Sequence, residues 1–69
     1  MKYKPIMDSF LFLLKKRKMT CHALALRSGV SANTIGNIVH QKYRAVHELT
    51  AERISKALRV EMDEVFEME

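Results

Sequence analysis

The sequence has few of the residues that interrupt helices or cross-link chains. Its 69 residues include one proline, two glycines and one cysteine, while 48% are hydrophobic. A single cysteine excludes an internal disulfide framework and is typical of a reducing compartment, so we expect a cytoplasmic protein. With so few helix breakers and so much apolar content, an all-α fold in a single domain, residues 1–69, is the default expectation.

No apolar run is long enough to cross a membrane, which requires ~20 residues. The run Phe10–Leu14 is short, and the positive cluster Lys15–Lys18 follows it, the reverse of the order in a secretory signal. We therefore expect neither a membrane span nor a signal. A basic amphipathic first helix lying on anionic lipid is the weakest of the functional alternatives.

Patterns for metal binding and catalysis are also missing. Cys21, His22, His40 and His47 do not have the ligand spacing of a zinc finger or ribbon. Nucleophilic catalysis at Cys21 would need a base and an orienting acid nearby, whereas the acids cluster near the end of the sequence. The sequence predicts no enzymatic activity, no metal, no cofactor and no small-molecule substrate.

Charge is unevenly distributed along the chain. Residues 1–60 hold all 12 Lys and Arg against three acids, a net charge of +9, and residues 61–69 hold five acids and no base. Such a basic body suits a polyanion, because each neutralised phosphate releases condensed counterions, although a solvated surface is the alternative. We expect a mobile basic arm at residues 1–5 and an acidic segment at residues 61–69.

Two short helices are predicted between Thr20 and His40. Thr20 is a helix cap for Cys21–Ser28, and Ser31 is a second cap for residues 32–40, in which Ile35 and Ile38 are one turn apart. Between the helices, Gly29 can adopt the left-handed conformation that ends a helix, and Val30 fills the angle. This pattern predicts a helix-turn-helix.

Three further helices complete the prediction. They run from about Ile6 to Lys18, from between Val46 and Thr50 to Leu58, and from Met62 to Phe66. Helical periodicity assigns a set of side chains to the core: Met7, Phe10, Leu11, Leu14, Leu49, Ile54, Ala57 and Leu58.

The predicted helix-turn-helix and the segment after it resemble a known family. Ala25, Gly29, Val30, Ile35 and Ile38 fall where Cro and lambda-repressor type DNA-binding domains keep a small residue, a turn glycine and three buried aliphatics. The segment ISKALRVEMDEVF resembles the fourth and fifth helices of that family, so the likeness covers roughly residues 8–66. The resemblance implies a compact five-helix lambda-repressor-like domain. It also implies sequence-specific binding of duplex DNA by a small transcriptional regulator, with repression the expected mode.

The resemblance places the recognition helix, residues 32–40, in the major groove. The implied base-contacting residues are Ser31, Ala32, Asn33, Asn37 and His40. Asparagine amides can pair with adenine, Ala32 can pack on a thymine methyl, and no Arg or Lys is present to read guanine, so A·T-rich half-sites are predicted. Gly36 in this helix either permits close approach to another backbone, such as DNA, or is simply tolerated.

Phosphate contacts are expected beside this helix, from Thr20, Cys21, Thr34, Lys42, Tyr43, Arg44 and His47. Three features depart from the family pattern. Cys21 stands where glutamine is frequent, Ser28 occupies a commonly apolar site, and the loop lacks the usual glycine and proline around Gln41 and Val46. These departures predict looser packing at Ser28 and weaker DNA binding than in a typical member.

A homodimer is expected, because one recognition helix covers few base pairs and paired half-sites about 34 Å apart give specificity. The candidate dimer contacts are Phe12, Leu13, Val65, Phe66 and Met68. Phe12 points away from the predicted core, although single exposed aromatics are common. The main alternative function is a protein-interaction or antitoxin-type regulatory module with the same fold and secondary DNA binding.

Overall fold

Five helices and three short strands alternate along the chain in the computed structural model, which describes all 69 residues. The elements in order are β1 (Lys2–Pro5), α1 (Met7–Lys16), α2 (Cys21–Ser28), α3 (Ala32–Val39), β2 (Val46–His47), α4 (Glu48–Leu58), α5 (Met62–Val65) and β3 (Phe66–Met68). The predicted helices are therefore all present, with ends that differ from the predicted ones by up to two residues. None of them combines the length and hydrophobicity that a bilayer span requires.

The caps of the helix-turn-helix lie where the sequence predicts them. The Ala23 N–H donates to Thr20 Oγ1 at 3.0 Å, and the Thr34 N–H donates to Ser31 Oγ at 3.1 Å. Gly29 has φ 75°, the left-handed conformation that ends α2. A local hydrogen bond thus fixes the start of each helix, and a local backbone conformation fixes the end of α2.

Ser28 has a role in the turn that the sequence did not predict. Its hydroxyl donates to the Ala25 carbonyl at 3.5 Å and accepts the Val30 N–H at 3.2 Å. The hydroxyl therefore satisfies a backbone donor just after the helix end, while Val30 is buried as predicted. The polar group of Ser28 is thus bonded within the turn.

The core contains one residue or more from every helix. Its 12 buried apolar residues are Phe10, Leu14, Leu24, Val30, Ile35, Ile38, Val46, Ala51, Ile54, Leu58, Val65 and Phe66. Two predicted core residues, Leu11 and Leu49, are exposed instead. Phe10 and Leu14 lie at the centre of the buried face of α1, and Leu11 lies at its edge. Leu49 lies about 200° around α4 from Ala51.

The expectation of an all-α fold was incomplete, because the chain also forms a three-stranded antiparallel sheet in the order β2-β1-β3. Lys2 pairs with His47 and Tyr3 with Val46 on one side of β1. On the other side Tyr3 pairs with Met68, Lys4 with Glu67 and Pro5 with Phe66. The basic arm that we expected to be mobile is the central strand of this sheet.

Two of the predicted dimer contacts are corrected by their burial. Val65 is 0% exposed and Phe66 is 1% exposed, so neither side chain is available to a second chain. The Phe66 ring packs edge-on against the Phe10 ring, with centroids 6.3 Å apart. Of the other candidates, Phe12 and Met68 are exposed and Leu13 is partly buried against the core.

The loop between α3 and β2 is shaped by Gln41, which has φ 57°. It adopts, without being glycine, the left-handed conformation that glycine favours. The next two residues are tied to α3, because the N–H groups of Lys42 and Tyr43 both donate to the Asn37 carbonyl, at 2.7 and 3.4 Å.

Candidate nucleic-acid interface

The outward face of α3 follows from its two buried residues. Ile35 and Ile38 hold one side of the helix against the core. On the other side, Ala32 and Asn33 are exposed and Asn37 is half-buried. These residues recur at helical spacing, so they form one continuous surface on a helix of eight residues.

The amides of Asn33 and Asn37 are not used within the protein. No hydrogen bond of the structure involves either side-chain amide. Each amide offers two N–H donors and a carbonyl acceptor, the combination that pairs with N6 and N7 of adenine. The structure thus brings together two unbonded, chemically identical amides on one helix face.

The other predicted base-contacting residues differ in availability. Ser31 Oγ accepts the Thr34 N–H and also donates to Thr34 Oγ1 at 2.9 Å, so its hydroxyl is occupied by the cap. Ala32 is exposed in the first turn, and His40 is exposed at the C-cap, at the far end of α3 from the residues that usually meet base edges. Asn33 and Asn37 are therefore the strongest candidates for sequence reading.

Three predicted phosphate-contacting residues line one groove. Thr34, Tyr43 and His47 surround an open groove of about 370 Å³, together with Lys2 and Thr50. Thr34 Oγ1 accepts from Ser31, which leaves the Thr34 hydroxyl hydrogen free to donate to an oxyanion. Hydroxyl, imidazole and ammonium groups are all suitable for phosphate oxygens.

Lys2 was not among the predicted phosphate-contacting residues. It reaches this groove because β1 pairs with β2, which sets Lys2 opposite His47. The Lys2-Tyr3-Lys4-Pro5 alternation, exposed and half-buried in turn, is a strand signal, but the segment is too short for that signal to stand out.

The start of α2 presents a second possible phosphate contact. Helix geometry leaves the first N–H groups of α2 without partners in the helix, and Thr20 Oγ1 already takes that of Ala23. The Cys21 side chain is partly buried against the core, so it does not reach outward as the glutamine of the family pattern would. At this position the predicted contact is limited to the backbone N–H.

The cations beside α3 differ in their pairing. The structure has three ion pairs: Lys4 with Glu67, Arg44 with Glu69, and Lys56 with Glu52. Lys2 and Lys42 belong to none of them. No three His, Cys, Asp or Glu side chains lie together as metal ligands would.

Gly36 lies on the outward side of α3, and a substitution there separates folding from binding. An alanine Cβ at Gly36 would meet no atom within 4 Å, so nothing inside the protein requires glycine. We expect Gly36→Ala to raise the free energy of unfolding by about 1 kcal/mol, measured by urea denaturation.

The same added methyl group is expected to weaken DNA binding if Gly36 allows close approach to the duplex. Gly36→Ser, which adds one more atom, should weaken binding further and gain less stability. Unchanged DNA affinity in both variants would mean that Gly36 is merely tolerated. A lower free energy of unfolding for Gly36→Ala would mean that the fold itself requires glycine at this position.

Comparison with known proteins also indicates a helix-turn-helix domain. A family model described as the Cro/C1-type HTH DNA-binding domain matches residues 12–69. That range includes both helices of the helix-turn-helix and leaves out β1 and the start of α1. No curated protein and no solved structure gives a significant match to the chain.

Proposed function

Because the chain belongs to the Cro/C1-type HTH DNA-binding domain family, we propose that it is a small transcriptional regulator that binds duplex DNA sequence-specifically. In this proposal α3 enters the major groove, and repression is the expected mode of regulation. The observation that carries it is the pair of unbonded asparagine amides on the outward face of α3. The surrounding Thr34, Tyr43 and His47 groove supports the same orientation.

The readers on α3 favour A·T pairs. Asn33 and Asn37 match adenine, the exposed Ala32 methyl group matches thymine, and the helix has no Arg or Lys for guanine. Selection of bound sites from random duplex DNA should return A·T-rich half-sites. Guanine-dominated half-sites would contradict this assignment of the base readers.

A phosphate contact can be tested separately from base reading. Lys42 is exposed and belongs to no ion pair, so Lys42→Ala should weaken binding to all duplexes alike. The slope of log K against log salt concentration should also become shallower by about one. Lys56→Ala is the control, because Lys56 lies on α4 and pairs with Glu52. An equal effect of both variants would show that only net charge matters.

Homodimerisation is part of the proposal on geometric grounds, since one eight-residue helix spans only a few base pairs. The exposed Phe12 and Met68 and the partly buried Leu13 remain candidate contacts. Light scattering with and without a selected duplex tests the proposal. A monomer under both conditions at high concentration would remove it.

A protein-interaction or antitoxin-type module is the second candidate. An open groove of about 690 Å³ beside α1, lined in part by Phe12, Leu13 and Val60, favours it because these apolar groups can meet a partner. Duplex binding without any sequence preference would support this alternative. The cytoplasmic location and the absence of enzymatic activity stay predictions.

A further inference from the structure

β3 and the residue after it bring two carboxylates to two cations near the recognition helix. Glu69 Oε2 lies 2.8 Å from Arg44 Nε, and Glu67 Oε1 lies 3.5 Å from Lys4 Nζ. Lys4 and Arg44 line the same shallow groove, beside Tyr43. Both cations of this groove are therefore paired with acids from one strand segment.

The backbone fixes both partners of the Arg44–Glu69 pair. The Glu69 N–H donates to the Lys2 carbonyl at 3.1 Å, which holds Glu69 against β1. On the other side, the loop that carries Arg44 is tied to the Asn37 carbonyl of α3 by the N–H groups of Lys42 and Tyr43. The ion pair thus connects the acidic segment with the loop that follows the recognition helix.

Arg44 binds carboxylate here by the chemistry with which arginine binds phosphate. A guanidinium donates N–H groups to either oxyanion, and the two ligands compete for the same donors. The Arg44 side chain is 83% exposed, so an incoming phosphate can reach it. A phosphate at this position would lie within a Debye length of Glu69, about 8 Å, and would be repelled by it.

We propose that Glu69 occupies the phosphate position on Arg44 and competes with duplex DNA for it. The acidic segment then acts as an internal phosphate mimic that lowers the affinity of the DNA-binding surface. The proposal rests on the proposed DNA-binding function. Because a phosphate contact carries no sequence information, the competition lowers affinity for every duplex and leaves discrimination between sequences unchanged.

The test is a double-mutant cycle on Arg44 and Glu69, read by fluorescence anisotropy with a random-sequence duplex. Glu69→Gln keeps the side-chain shape and removes the charge, and it should strengthen binding about two- to fivefold at about 50 mM salt. In an Arg44→Gln background the same substitution should give only the small gain expected from the loss of one negative charge, because the donor for which Glu69 competes is gone. The gain should shrink at about 200 mM salt, where the ion pair is screened.

Glu67→Gln is the matched control. It removes the same charge two residues away on the same face of the strand, but its partner is Lys4. A smaller gain that persists in the Arg44→Gln background is expected from this control. Both acids are exposed, so neither substitution should alter the fold. Thermal melting of each variant checks this.

The possible results separate this proposal from the proposed function. If Glu69→Gln gains as much in the Arg44→Gln background as in the original chain, the effect is one of net charge and the competition is rejected. No gain in the original chain also rejects it, while DNA binding itself stands. If no variant binds any duplex at low salt, both proposals fail together.

Discussion

Phe66→Ala is expected to lower the free energy of unfolding by about 3–5 kcal/mol, because it removes a fully buried ring from the centre of the core. The substitution also removes the edge-on contact with Phe10. A chain of 69 residues has a total stability of roughly 3–10 kcal/mol. The variant should therefore lose about a third or more of its stability, as urea titration followed by far-ultraviolet circular dichroism would show.

Phe12→Ala is the matched control for Phe66→Ala. The Phe12 ring is 62% exposed, and the Lys16 ammonium lies 5.9 Å from its centre. Its truncation should change stability by less than about 1 kcal/mol. If instead Phe66→Ala folds normally and shifts the oligomeric state, the ring belongs to an interface and not to the core.

The helix-turn-helix could be predicted from the sequence because each of its signals is local. Thr20 and Ser31 cap helices within three residues of themselves, and Gly29 ends a helix by its own backbone conformation. Ile35 and Ile38 report burial through helical spacing alone. None of these assignments requires knowledge of what lies elsewhere in the chain.

The sheet could not be predicted in the same way. Its pairing joins Lys2 to His47 and Pro5 to Phe66, residues far apart in sequence, and β2 has only two residues. Short strands with distant partners leave little periodicity to read. Phe66 was misassigned for this reason, because its burial depends on β1 and on Phe10 at the other end of the chain.

The candidate site also contains some residues that local patterns predict and others that depend on the sheet. Asn33 and Asn37 follow from the register of α3, which the buried isoleucines set. The positions of Lys2 and of the Arg44–Glu69 pair depend on the sheet, so the sequence alone did not place them. Local patterns thus give the candidate base-contacting residues, and tertiary pairing gives the positions of the charged residues.

Replacing both recognition amides is expected to abolish most of the discrimination between a selected site and a random duplex. Each bidentate contact to adenine contributes about 1–3 kcal/mol of discrimination, so Asn33→Ala or Asn37→Ala alone should reduce the affinity ratio roughly 5- to 150-fold. Nonspecific affinity should change little, because neither amide carries charge. Both variants should fold, since alanine favours helix and neither amide is bonded within the protein.

A modified base makes this prediction specific to the amide–adenine contact. Replacing one adenine of the selected half-site by 7-deazaadenine removes the N7 acceptor and keeps the pairing with thymine. When the modified adenine is the one that Asn33 contacts, the unsubstituted protein should bind the modified duplex more weakly than the unmodified one. The Asn33→Ala variant should bind the two duplexes equally. Asn37→Ala should show the same insensitivity at a different adenine. If every adenine tolerates the change equally in all three proteins, the amides on α3 do not read bases, and the specificity must come from DNA shape or from other residues.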